Sequence, residues 1–168
     1  MPIVRLNHAV LYVSALERSV EFYTSVLGFR VIPMTPDGFR GAAFLQAPGS
    51  TNDHDLGLFE IGAGAPRPGR GVGLYHLAWE VDTLEELERV AARMNSAGAL
   101  SGASDHGTTK SLYGADPDGI EFEVAWVVPR DLLDDDALQA RKRIGRLDLD
   151  AAKKRYGADT QGGVGVSR

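Results

Sequence analysis

The chain contains no cysteine in its 168 residues. Disulfides, thiolate nucleophiles and cysteine-held zinc or iron–sulfur sites are therefore excluded, and any metal must be bound by histidine, aspartate, glutamate or water. Basic residues are in the minority, 18 Lys and Arg against 23 Asp and Glu for a net charge of −5. No cationic surplus is left of the kind that tracks nucleic-acid phosphates. No apolar run approaches the roughly 20 residues that span a bilayer, and the first residues lack the apolar core of a signal peptide. These absences predict a cytoplasmic protein with neither nucleic acid nor membrane as partner. With 43% apolar residues, the chain can bury a real core as one ordinary domain.

Histidine is scarce enough that each copy can be weighed singly: His8, His54, His76 and His106. Two of them, with Glu123, share a position in alternating segments. In 7–13 the apolar side chains are Ala9, Leu11 and Val13, so His8 points the other way with Val10 and Tyr12. In 75–81 the apolar face is Leu77, Trp79 and Val81, leaving His76 with Ala78 and Glu80. In 120–126 it is Ile120, Phe122, Val124 and Trp126, leaving Glu123 with Glu121 and Ala125. Two imidazoles and a carboxylate thus fall on polar strand faces. As a donor set they suit non-haem Fe(II), with Mn(II) as competitor.

The chain repeats itself. Superposing His8 on His76, 68 positions apart, aligns Val13 with Val81, Ser14 with Asp82 and Leu16 with Leu84. Ser14 and Asp82 read as helix caps, and Ser14 with Glu17 has capping-box spacing. The first helix is expected over 15–27, burying Leu16, Val20, Tyr23 and Leu27 and ending at Gly28; the second spans 84–97, burying Leu84, Leu87, Val90, Ala91 and Met94 and ending at Gly98. Strands are expected at 29–33, 41–46 and 56–61, then at 99–103, 109–114 and 120–127, so each half reads βαβββ. The modules cover about 4–61 and 74–128 within a domain of 1–128, joined by a Gly/Pro/Arg-rich linker over 62–73. Asp116-Pro117-Asp118-Gly119 is a turn signal. A charged helical extension is expected over 129–156, its Asp134-Asp135-Asp136 run preceding Arg141-Lys142-Arg143 in the order that suits a helix dipole. Residues 157–168 read as a disordered tail.

Asn7-His8-Ala9-Val10, the stretch Glu21-Phe22-Tyr23-Thr24-Ser25-Val26-Leu27-Gly28-Phe29, Tyr75-His76-Leu77-Ala78 and the Glu following Asp-Pro-Asp-Gly together resemble the vicinal oxygen chelate superfamily. That group includes glyoxalase I, type I extradiol dioxygenases, fosfomycin and bleomycin resistance proteins and methylmalonyl-CoA epimerase. The resemblance covers roughly residues 4–128. It implies an α+β fold of two tandem βαβββ modules forming a cupped mixed sheet, with helices on the convex face and a metal on the concave one. It favours Glu123 over its neighbour Glu121 as the third ligand, beside His8 and His76.

Within the superfamily, His54 in Asp53-His54-Asp55-Leu56, His106 in Ser104-Asp105-His106-Gly107 and Tyr113 in Ser111-Leu112-Tyr113 resemble the extradiol ring-cleavage branch. There one His is an acid/base, and another His and a Tyr contact substrate oxygens. The implied partners are a catechol-like aromatic diol and dioxygen, and a homodimer is expected. Val10, Tyr12, Phe44, Phe59 and Ala78 are the candidate pocket walls. Glu60 offers an alternative: as a fourth ligand it would suit a glyoxalase-like lyase, isomerase or epimerase with Ni(II), Co(II) or Zn(II). A metal-free, bleomycin-resistance-like binding protein is the further alternative. The plainer readings are a solvated turn for His54, a surface position for His106 and a buried core residue for Tyr113. The extension reads as a lid, a dimer contact or, as composition favours, a helix pair packed on the side of the domain.

Overall fold

A computed structural model describes residues 2–3, 5–33 and 40–163. It divides into two compact units: residues 1–70 with 116–119, and 71–115 with 120–168. The repeat survives as two βαβββ modules, each with its own mixed sheet. The first is built from β1 (Ala9–Val13), α1 (Leu16–Ser25), β2 (Arg30–Ile32), β3 (Ala42–Gln46) and β4 (Leu56–Glu60), with strand order β1-β4-β3-β2. The second has β5 (His76–Glu80), α2 (Leu84–Ser96), β6 (Leu100–Asp105), β7 (Thr109–Ala115) and β8 (Glu121–Val127), in the order β5-β8-β7-β6. In both, the first strand pairs parallel with the last and the remaining pairs are antiparallel. The fold is α+β as expected. The hydrogen-bond ladders close within each module, so the strands form two open sheets where one cupped sheet was expected.

Alternation decides what each face buries. In β1, Leu11 and Val13 are buried while Val10 and Tyr12 are 52% and 70% exposed. Leu45, Leu56 and Leu58 are fully buried beside them, under α1, which contributes Ser19, Phe22 and Tyr23. In the second module Leu84, Leu87, Val90 and Met94 of α2 meet Leu112, Phe122, Val124 and Trp126. Packing is close at Gly114, where a Cβ would stand 2.6 Å from the Ala99 carbonyl and 2.7 Å from Met94 Cε.

Both expected caps are corrected. α1 has Ala15 at its N-cap with no side-chain cap. Ser14 is turned away: its backbone N–H and its hydroxyl donate to the Asp118 carboxylate at 2.7 and 2.5 Å. The Leu16 N–H instead donates to Glu60 Oε2 at 2.6 Å, so a carboxylate from another strand covers the positive end of the helix. In α2 the cap is Thr83, one residue beyond Asp82, accepting from the Glu86 N–H.

Residues 116–119, which link β7 to β8, belong to the first unit through this network. Asp118 also accepts from Arg18 at 2.7 Å, and the Tyr23 hydroxyl donates to Asp116 at 3.1 Å. Burial and the Asp116 carboxylate push the Tyr23 phenol well above its ordinary range. Burial alone would raise the Asp118 carboxyl, but the Ser14 hydrogen bonds and the Arg18 guanidinium outweigh it and hold it below the usual carboxylate value. A group depressed in the folded state stabilises above its unfolded pKa of about 3.9 and loses that contribution as pH falls through the folded value. Asp118→Asn is therefore expected to lower the urea midpoint at pH 7, with the gap to the parent narrowing below about pH 4. A gap of equal size at pH 7 and pH 3 would contradict the assignment.

The extension is more broken than a continuous helix. A 3-10 turn (Arg130–Leu132) leads to α3 (Asp135–Ala140), a two-residue strand β9 (Gly145–Arg146) that adds to β6, and α4 (Leu149–Tyr156). Ala137, Ala152 and Tyr156 are buried, and α4 packs against α2 with Lys153 donating to Glu88 at 2.7 Å, which agrees with helices packed on the side of this unit. The tail is corrected over residues 157–163. Thr160 O accepts from Trp126 Nε1, and the Gly162 and Gly163 N–H groups donate to Asp82 O and Val127 O. Residues 164–168 lie outside the described residues.

Candidate functional site

Each unit gathers part of the predicted site. In the first, the β1–β4 register sets Val10 opposite Gly57 and Tyr12 opposite Phe59, and β3 sets Phe44 opposite Gly57. Val10, Tyr12, Phe44 and Phe59 therefore share one face, the one His8 enters. The rings of His8 and His54 lie 4.5 Å apart, and Phe44 meets His54 edge-on at 5.0 Å. His8 Nδ1 stands 2.8 Å from Asn7 Oδ1. With Nδ1–H donating to that oxygen, Nε2 keeps its lone pair, the tautomer a metal ligand needs.

His54 is held by an internally fixed polar loop. Asp55, buried, accepts from Ala47 N–H, Ser50 hydroxyl and Asn52 amide at 2.9, 2.8 and 2.7 Å. The Asn-Asp-His-Asp string signalled a polar turn; Asp55 fixes that turn internally. Asn7, adjacent to His8 in the sequence motif, has no distinguishing local pattern, and only the structure shows its contact with the His8 ring.

In the second unit His76 Nε2 and Glu123 Oε2 are 3.2 Å apart. Two donors bound to one metal at bonds of about 2.1 Å, with angles near 90–110°, would be separated by about 3.0 to 3.4 Å. The pair therefore fits a shared ion. The register explains it: Ala78 is opposite Glu123 on β8, so His76 and Glu123 are diagonal neighbours on one face. Tyr113 of β7 is directly opposite Glu123, and its hydroxyl lies 2.8 Å from His106 Nε2. Burial, then the Glu123 carboxylate, pushes the Tyr113 phenol above its ordinary value, so it is a hydrogen-bond donor at neutral pH. His76, Glu123, Tyr113 and His106 thus form one connected group, while Glu121 is an exposed neighbour on the same face, opposite His76.

The predicted ligand triplet divides between the two units. Among the described residues no three His, Asp, Glu or Cys side chains are grouped as a metal site, and His8 belongs to the unit that lacks His76 and Glu123. Glu60 is placed unambiguously. Opposite Val13 in the β1–β4 register, it has the parity of the buried Leu56 and Leu58, on the side away from His8, and its carboxylate is engaged at Leu16. The fourth-ligand role is corrected on this ground.

A duplicated βαβββ unit, with a histidine entering the first strand of each copy, defines a two-module α+β class. The chain belongs to the Glyoxalase/Bleomycin resistance protein/Dioxygenase superfamily, whose family description matches residues 5–124. It is 32% identical over 133 residues to the catechol-2,3-dioxygenase of Bacillus subtilis, covering 74% of this chain and 42% of that protein. It is 33% identical over 125 residues to a lactoylglutathione lyase of Neisseria meningitidis, covering 71% of this chain and 88% of that one. The fold resembles a glyoxylase/bleomycin resistance protein/dioxygenase domain from Frankia, with a TM-score of 0.62 at 22% identity over 74% of this chain and 92% of the other. The chain thus spans less than half the length of the dioxygenase relative. Among the described residues, no helix is long and apolar enough to cross a membrane.

Proposed function

We propose that the chain is a metal-dependent extradiol dioxygenase that opens the ring of a catechol-like small molecule beside its diol. The observation that carries this reading is the His106–Tyr113 hydrogen bond, 2.8 Å long, on the sheet face that bears the His76–Glu123 donor pair. A proton-handling pair next to metal donors suits a substrate whose oxygens must be both oriented and deprotonated. His76, Glu123 and His8 are the proposed ligands, for Fe(II) or Mn(II). A divalent ion held there supplies Lewis acidity that lowers the pKa of a diol hydroxyl.

The protein residues do the rest. His54 takes the substrate hydroxyl proton and later returns it. Tyr113 donates a hydrogen bond to a substrate oxygen, its phenol kept protonated by burial beside Glu123. His106 Nε2–H donates to the Tyr113 oxygen and fixes its orientation, which leaves the phenol proton for the substrate. Phe44, Phe59, Val10 and Tyr12 give the aromatic ring an apolar wall, with Ala78 offered from β5. The working unit is proposed to be a homodimer, which sedimentation of the full chain would test.

A lyase is the second reading, favoured by length: the chain covers 88% of the lactoylglutathione lyase against 42% of the catechol dioxygenase. The test is anaerobic purification with metal analysis, then oxygen uptake on a panel of catechols beside a hemithioacetal isomerisation assay. Fe or Mn with catechol-dependent uptake is the expected result. Isomerisation with Ni, Co or Zn would overturn the dioxygenase reading, and saturable aromatic binding without metal would replace both enzymes by a binding protein. His54→Ala is expected to retain metal while slowing turnover by about 100-fold or more, the usual scale of lost acid/base catalysis. Unchanged turnover would remove His54 from the mechanism.

A further inference from the structure

We propose that the cavity formed where the C-terminal extension packs on β6 and β7 binds a small polyanion, a molecule carrying two or more phosphate or carboxylate groups. The cavity has a volume of about 480 Å³. Small-molecule sites commonly enclose about 300–1,000 Å³. Its wall holds five cationic and two anionic side chains, in a chain whose net charge is −5. A concave wall rich in one sign focuses its field on whatever enters.

The cations divide into two kinds. Lys110, with a side chain 3% exposed, donates to Asp105 Oδ1 at 2.7 Å and to Gly107 O at 2.8 Å, and its ammonium lies 5.3 Å from the centre of the Tyr156 ring. Arg155 is held by Asp134 at 2.7 and 2.8 Å. Lys142, Arg143 and Arg146 form no ion pair among the described residues, and the Lys142 ammonium donates to the neutral Gln139 Oε1 at 3.1 Å. Three uncompensated cations therefore stand on five consecutive residues.

Helix electrostatics do not account for all of them, since Arg146 lies six residues beyond the end of α3. The sequence suggested that Arg141-Lys142-Arg143 complements a helix dipole, but α3 ends at Ala140 with Arg141 as its C-cap and no basic residue in its last turn. The segment is also fixed at both ends, which holds like charges together. Upstream, α3 is pressed onto Gly107, where a Cβ would stand 2.3 Å from the Ala137 carbonyl. Downstream, β9 pairs Arg146 with Ser104 and Gly145 with Asp105 on β6. Lys110 and Tyr156, both buried, line the cavity from the domain side, while Lys142, Arg143 and Arg146 are exposed and open to an anion arriving from solvent.

The test is isothermal titration of the full chain with inorganic pyrophosphate, citrate and ATP, at about 50 mM and about 150 mM salt. Saturable binding of one equivalent is expected, weaker at the higher salt. Pyrophosphate against citrate distinguishes phosphate from carboxylate as the recognised group. The double variant Arg143→Ala/Arg146→Ala should bind at least about tenfold less tightly, because a hydrogen bond to a charged group contributes on that scale. The double variant Arg130→Ala/Lys154→Ala removes the same charge outside the cavity and should bind as the parent does. Unchanged thermal unfolding midpoints without ligand would show that both variants fold. No saturable binding of any probe up to about 10 mM would overturn the proposal. So would equal weakening in both double variants, which signals net charge alone, or a single-stranded polynucleotide binding more tightly than every small probe.

Discussion

His76→Ala is expected to lose its metal and its turnover together. Removing an outer partner of a metal ligand already costs about 10 to 100-fold in affinity, so loss of a direct donor should exceed about 100-fold. The expectation holds for either enzyme reading, because it concerns the donor pair His76–Glu123 and not the reaction. Metal content by elemental analysis, after purification under identical anaerobic conditions, is the measurement. Glu60→Ala is the contrast: its carboxylate covers the first turn of α1, so metal content should be retained while stability falls by about 0.5–2 kcal/mol, as for loss of a helix cap. Full metal retention in His76→Ala would sink the ligand set. Metal loss in Glu60→Ala would restore that residue as a ligand and favour the lyase reading over the dioxygenase.

Trp126→Ala should be the most destabilising core substitution tested, at about 3–5 kcal/mol. The indole is fully buried, lies 5.5 Å from the Tyr156 ring, and donates from Nε1 to Thr160 O at 3.2 Å. Truncation removes packing under α4 and leaves the Thr160 carbonyl without this donor. Domains of this size are stable by only about 5–15 kcal/mol, so the variant would sit close to its unfolding limit at 37 °C. Urea midpoints at an unchanged slope give the loss directly. Trp126→Phe keeps a ring but drops the hydrogen bond and should cost less than the alanine. A loss below about 1.5 kcal/mol for the alanine would mean that the extension is not anchored through this residue.

The extension marks where sequence reading was weakest. The Asp134-Asp135-Asp136 run, expected inside a helical stretch beginning at 129, instead starts a helix: Asp134 caps α3 by accepting from the Ala137 N–H. β9 was not legible, because two residues carry no alternation to detect. The glycine-rich stretch after Tyr156 reads as unstructured by composition, yet it is ordered through 163 by backbone hydrogen bonds to Asp82 and Val127 that no local pattern encodes. Of the candidate site, the polar parity of His76 and Glu123 was readable and their 3.2 Å approach follows from it. The approach of the His54 ring to His8 was not readable, since it depends on how Asp55 folds its loop.

The sequence by itself determined the repeat, the strand faces and the turns, because a period of two residues and a Pro–Gly turn are imposed by backbone sterics over a few neighbouring positions. Tertiary structure decided which partner each polar side chain took. Ser14 could cap its own helix, but Asp118, 104 positions away, holds it instead; Glu60 could face His8, but pairing across from Val13 turns it to the opposite side, 44 positions from the N–H it covers. A local signal offers a polar group several partners of similar energy, and the packing of distant elements selects among them.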